Sequence, residues 1–139
     1  MAKQTGLGDY VAVDDSGGNV RDISNDISAG YGINIAQELV ETTGLDKSAR
    51  ERITGMSDGD VTLNGTFNAA SNKSHDVFKT RTTARTVDIR IGGNSSSNPK
   101  LAMEMVIASY ALSRDAAGAL TWTATLNLAD GTVPAWTTV

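Results

Sequence analysis

Leu120-Thr121-Trp122-Thr123-Ala124-Thr125-Leu126-Asn127-Leu128 puts an apolar residue at every second position and a threonine or asparagine between. A helix of that composition would spread its apolar residues round the whole circumference. An extended strand gathers them on one face and the hydroxyls on the other. Thr and Trp also favour a pleated surface. The stretch therefore predicts a half-buried β-strand with Trp122 on the core side. Asp130-Gly131 follows as a turn, and Val133-Pro134-Ala135-Trp136 ends the chain in an extended segment that proline keeps out of a central ladder.

A sheet built on this strand suits the whole chain. Its 139 residues lie in the range of one domain with a single core, and 40% hydrophobic with 20% charged residues is globular composition. The 14 glycines against two prolines point to many turns and a mostly β class. Twelve basic against 16 acidic residues give a net charge of -4, which argues against wrapping nucleic acid through phosphate contacts. Without cysteine there is neither a disulfide framework nor a thiolate zinc site. The start, Met1-Ala2-Lys3-Gln4-Thr5-Gly6, lacks the apolar run of a secretory signal, and no stretch approaches the roughly 20 apolar residues of a membrane span. A soluble chain made in the cytosol is expected.

Tyr10 to Val13, the turn from Asp14 to Asn19, and Val20 to Ile23 predict a first hairpin. Tyr31, Ile33 and Ile35 share one face of a second extended run. Residues 38–60 lose the pattern. Leu45 to Arg52 offers helix propensity, with Asp46 as a cap for one or two turns, but little apolar stripe, so this region is read as a long loop or arm of the interaction type. Alternation returns with Val61, Leu63 and Phe67 inward. Ser74 as N-cap, with Asp76 in the first turn, predicts one short helix over residues 74–82. Residues 86–91 alternate strictly. The run from Leu101 to Ser113 changes phase near Val106, which predicts a kink or bulge. These elements suit a single-domain antiparallel β-sandwich or small barrel with one flanking helix and an arm.

No catalytic constellation emerges. His75 is the only histidine, no Gly-x-Ser-x-Gly elbow accompanies it, and a place in the first turn of a helix is an ordinary one. Asp14-Asp15 and Asp58-Gly59-Asp60 lack the register of a calcium loop and read as turn residues. Gly17-Gly18 and Gly92-Gly93 are hairpin glycines, not phosphate cradles. No catalytic, metal or cofactor-binding residue is assigned. Lys47, Arg50 and Arg52, offset by Asp46 and Glu51, read as a solvated mixed-charge face or a contact with another subunit. The residues alone thus favour a structural or interaction protein over an enzyme.

The order of segments resembles the major tail tube proteins of long-tailed, siphovirus-type bacteriophages. The resemblance rests on residues 8–15 with 20–24, on Thr43-Gly44-Leu45-Asp46-Lys47-Ser48-Ala49-Arg50-Glu51-Arg52, on residues 61–68 followed by 74–79, and on Leu120-Thr121-Trp122 through Asp130-Gly131-Thr132-Val133-Pro134-Ala135-Trp136. It implies a β-sandwich whose subunits pair sheet edges into hexameric rings that stack into a hollow tube, a conduit for the viral genome in the virion tail. The arm would stack the rings, making Leu45, Asp46, Lys47, Arg50 and Arg52 candidate inter-ring contacts, and the helix would lie outside the ring sheet. The partners implied are other copies of the chain and tail proteins such as the tape measure and tail terminator, with DNA passing through and no membrane or cofactor. An acidic or hydroxylated lumen would let DNA slide. Thr121, Thr123 and Thr125 are candidates for that lumen or for an ordinary solvent face. The alternative is a non-enzymatic binding module, a capsid decoration, tail-completion or carbohydrate-binding sandwich, with Trp122 or Trp136 as its platform.

Overall fold

The computed structural model describes residues 8–28 and 30–139; the reading of the first six residues as lacking a leader lies outside them. Among the described residues there are eight strands: β1 (Tyr10–Asp14), β2 (Val20–Asp22), β3 (Tyr31–Glu41), β4 (Arg52–Thr66), β5 (Ala84–Arg90), β6 (Pro99–Arg114), β7 (Leu120–Leu128) and β8 (Trp136–Thr138). A helix of five residues, α1 (Ser74–Phe78), joins β4 to β5. All strands belong to one antiparallel sheet in the order β2-β1-β5-β6-β7-β4-β3, with β8 added to the start of β6.

β7 is central. Trp122, Ala124 and Leu126 are buried, and the Trp122 indole N–H donates to the Thr66 carbonyl at 3.0 Å. β6 is shared between two halves of the sheet. Its first half pairs with β5 as far as Val106 opposite Ala84, and its second half pairs with β7. The register shifts between Ile107 and Ser109, a bulge where the sequence changes phase. The sheet rolls about a core of Val11, Val13, Val61, Leu63, Val87, Ile89, Leu101, Met105 and Trp122. Tyr31, Ile33 and Ile35 pack against that core, while Phe67, beyond the end of β4, is only half-buried. The two ends of the roll are tied by Asp9, whose carboxylate accepts from the Tyr31 hydroxyl at 2.5 Å and from the Gly92 N–H at 2.7 Å.

The helix departs from expectation in length and in cap. It ends at Phe78, because the inward Arg85 of β5 gathers the backbone carbonyls at its end. That guanidinium donates to Val77 O at 2.6 Å, to Asp14 O at 3.0 Å and to Thr80 O, and Nε donates to Thr83 Oγ1 at 2.9 Å. Burial lowers the pKa of Arg85. Ser74 is not the N-cap. Lys73 holds that position without a side-chain bond, and the buried Asp26 carboxylate supplies the acceptor, taking the Ser74 N–H at 3.0 Å and Asn68 Nδ2 at 2.9 Å. A Cβ at Gly65 would fall 1.8 Å from the Asp26 carbonyl oxygen, so only glycine lets this segment cross β4.

The arm also differs from expectation. Most of residues 38–60 is strand: β3 and β4 form a long hairpin whose pairing runs from Tyr31 opposite Leu63 to Glu41 opposite Arg52. Only the tip, residues 42–51, is loop, and it contains no helix for Asp46 to cap. The pattern fails there for two reasons. β4 carries a bulge opposite the step from Gln37 to Leu39, which breaks the phase, and the far part of the hairpin has solvent on both faces, so no face selects apolar residues.

Candidate assembly surfaces

Three surfaces stand out, and none is a cleft. The first is the projecting ribbon of the β3–β4 hairpin. β7 covers β4 only from Asp60 upward, so residues 52–59 and their β3 partners run on as two strands alone. The ribbon exposes Leu39 (60%), Val40, Ile53 and Met56 (76%), and its tip holds Leu45 fully in solvent. Thr43 Oγ1 accepts the Glu51 N–H at 2.9 Å, and Arg50 pairs with Glu41 at 2.9 Å. Lys47 lies 3.9 Å from Asp46 and 3.8 Å from Glu51. Leu45, Asp46, Lys47, Arg50 and Arg52 thus share one tip, with their charges partly matched within it. The exposed Leu39, Val40, Ile53 and Met56 went unread in the sequence. Their only signal there is apolar residues in a region without alternation.

The second surface is the outer face of β6, β7, β4 and β3. Cross-strand pairing sets Thr121, Thr123 and Thr125 of β7 beside Thr66, Asn64 and Thr62 of β4. Thr121 and Thr123 are likewise opposite Ser113 and Ala111 of β6, and β3 adds Gly32, Asn34 and Ala36. Thr123 Oγ1 lies 2.9 Å from Asn64 Oδ1. Over the paired part of these strands this face presents no lysine or arginine, and its acids, Asp58 and Asp60, sit toward the ribbon. The outer face of the other half of the sheet is charged by contrast. There Arg90 pairs with Asp88 at 2.9 Å and lies over the Tyr10 ring at 4.8 Å, with Lys100 3.9 Å from Asp88.

The third surface is made of backbone. β3 pairs on one side only, and β6 beyond Val106 pairs only with β7, so each leaves a row of unpaired N–H and C=O groups among the described residues.

The other sequence candidates are absorbed by packing and turns. The His75 ring sits 4.9 Å from the Phe67 ring, with Nδ1 3.2 Å from the Tyr110 hydroxyl, and burial raises the Tyr110 pKa. Asp15 accepts the N–H of Asn19 and of Gly17 and pairs with Arg21 at 3.0 Å, contacts that hold its carboxyl below the usual range. Trp122 is core, and Trp136 is half-exposed on β8. Among the described residues no three His, Cys, Asp or Glu side chains are placed to hold a metal ion, and no helix is long and apolar enough to cross a membrane. A groove of 680 Å³ between β1 and β3 is lined, among the described residues, by the one carboxylate of Asp9, already bonded as described.

No protein-family model and no curated sequence matches the chain. Solved structures do. A chain of the tail of an empty gene transfer agent particle, refined with C6 symmetry, superposes with a TM-score of 0.75 over 99% of both chains at 16% identity. This chain shares that tail chain's fold. A chain of the anti-feeding prophage baseplate gives 0.70 at 14% identity, covering 99% of this chain and 97% of that one. A chain of the sheath–tube complex of an extracellular contractile injection system gives 0.68 at 14% identity, over 99% and 93%. At such identities the likeness concerns fold, and it does not single out the siphovirus-type tails that the sequence reading named.

Proposed function

We propose that this chain is a structural, non-enzymatic virion subunit that self-assembles into rings stacked as a tail tube, the conduit through which cargo leaves the particle. The observation that carries the reading is the ribbon. A two-stranded hairpin standing clear of its sheet is marginal in water, and one exposing Leu39, Val40, Leu45, Ile53 and Met56 needs a surface to cover it. Repeated copies of the chain supply one, because a heterologous contact that closes by rotation makes rings and its repetition along the axis makes a tube. The tail and tube complexes that share the fold support this, and the C6 symmetry of one supports six copies per ring. The ribbon tip, with Leu45, Lys47, Arg50 and Arg52, is the inter-ring contact. The cargo is DNA, which a face of hydroxyls and carboxylates releases readily. Tape-measure and terminator proteins are the expected axial partners. The likeness to a contractile system makes this a reading of tail tubes in general.

Negative-stain electron microscopy of concentrated protein, with light scattering on the same sample, tests it. Rings or hollow tubes are expected, spontaneously or after seeding with tail tips. A protein that stays monomeric under both conditions overturns the proposal.

A further inference from the structure

β8 continues β7 along the same side of β6. β7 leaves β6 with Leu128 opposite Met105 and the Ala129 N–H donating to Glu104 O at 3.1 Å, and pairing resumes with Trp136 opposite Leu101. From Ala129 to Trp136 the chain takes seven residue steps where β6 takes three, so the excess bows away from the sheet. The bow starts at Asp130, whose carboxylate accepts the Thr132 N–H at 3.0 Å, and turns at Gly131, whose φ of +77° suits glycine. A gap of 230 Å³ separates Thr132, Val133 and Pro134 from Ala102, Met103 and Glu104. Past the bow, the Val139 N–H donates to Asn98 O at 2.9 Å and the Ser97 N–H to Val139 O at 3.3 Å.

Hydrogen bonds hold this segment, and burial does not. Among the described residues the core has no member after Leu128, and Val133, Trp136, Thr137 and Thr138 are exposed. What the segment covers is backbone. Pro99 O accepts from Ile91 on the β5 side, whereas Asn98 O and Glu104 O accept from the end of the chain. Alternation along the strand therefore aims the N–H and C=O of Lys100, Ala102 and Glu104 at the segment as well. Bare, this stretch of β6 would be an open edge flanked by the apolar Leu101 and Met103, a template for a foreign strand.

We infer that residues 130–139 are an edge guard, a strap that occupies the first half of β6, opens more readily than the fold, and while closed keeps a strand of a second copy from adding there. It acts in the free subunit, so it stands apart from the tube reading.

Hydrogen exchange on the parent protein is the first test. The amides of Lys100, Ala102, Glu104 and Val139 should exchange at least about tenfold faster than those of Trp122, Ala124 and Leu126, because the strap opens locally. Thr137→Pro breaks the ladder of β8 and should lower the melting temperature by no more than about 5 °C. Thioflavin fluorescence of the same variant at high concentration should rise at least about fivefold over the parent, with irregular fibres or clumps in micrographs. Lys100→Cys with Thr137→Cys, a facing pair in a chain with no other cysteine, locks the strap when oxidised. The locked protein should protect these amides and aggregate no more than the parent. A Thr137→Pro protein that melts as low as Trp122→Ala would make the strap part of the fold. One that loosens these amides yet stays as soluble as the parent would show that the bare edge recruits nothing. A locked protein that assembles less well than the parent would show that the strap has to open for assembly. Each of these outcomes overturns the guard. A parent that forms no rings or tubes removes the tube reading and leaves the guard to be judged on the free subunit.

Discussion

β4 is one strand with two lives. From Asp60 to Thr66 it lies between β3 and β7, with Val61 and Leu63 buried, whereas from Arg52 to Met56 it is exposed and has β3 as its one strand partner among the described residues. The same backbone geometry gives a core element in the first part and a solvent-exposed ribbon in the second. The difference shows what holds each part. The body is held by its own packing, and the ribbon by little beyond the ladder to its partner strand and the ion pairs at its tip.

The sharpest way to break the comparison is to damage the body alone. Trp122→Ala removes the largest buried side chain and its bond to Thr66, and should cost about 3–5 kcal/mol in denaturant unfolding, with assembly lost in proportion as the body loosens. Arg85→Met strips the donors from three backbone carbonyls, of α1, the loop after it and β1, and should cost about 2–4 kcal/mol by the same measurement. The ribbon should answer in the reverse sense. Leu45→Asp with Arg50→Glu should leave unfolding within about 0.5 kcal/mol of the parent, because both sites are exposed. In electron micrographs the same variant should abolish stacking of rings. Intact tubes from it would separate the tip from assembly.

The smallest effect is a pH dependence of the body. Asp15 and Asp76 are held below 3.8, Asp15 chiefly by the Asn19 N–H and Asp76 chiefly by Lys79. For a depressed carboxyl the unfolded chain binds more protons as pH falls, so the contribution is complete above 3.8 and is lost below it. Asp15→Asn should flatten the fall in melting temperature below that pH. An unchanged slope would show that other carboxylates carry it.

The sequence was legible wherever one face of a strand is buried and the other wet. β7 shows it with Trp122, Ala124 and Leu126, β5 with Val87 and Ile89, and the bulge in β6 with its change of phase. It was illegible where that condition fails. The ribbon has no buried face, so its strands looked like loop. The cap on α1 comes from Asp26, 48 residues before Ser74, and no local spacing can announce it. Arg85 occupies an inward position that alternation reserves for apolar residues, because the carbonyls it binds belong to α1, the following loop and β1. The tip residues Leu45, Lys47, Arg50 and Arg52 were legible as a cluster, but their display at the end of a hairpin depends on pairing between Leu39 and Thr54 that neither segment signals alone.

β6 runs unbroken for 16 residues, about 50 Å, through both halves of the sheet. Mechanically it is a tie rod. A bending moment applied at β7 is carried to β5 and β8 along one covalent strand, with the bulge between Ile107 and Ser109 as its one irregularity. Compliance is left to the ribbon. A filament of such units would be stiff within each ring and would take up curvature in the joints between rings.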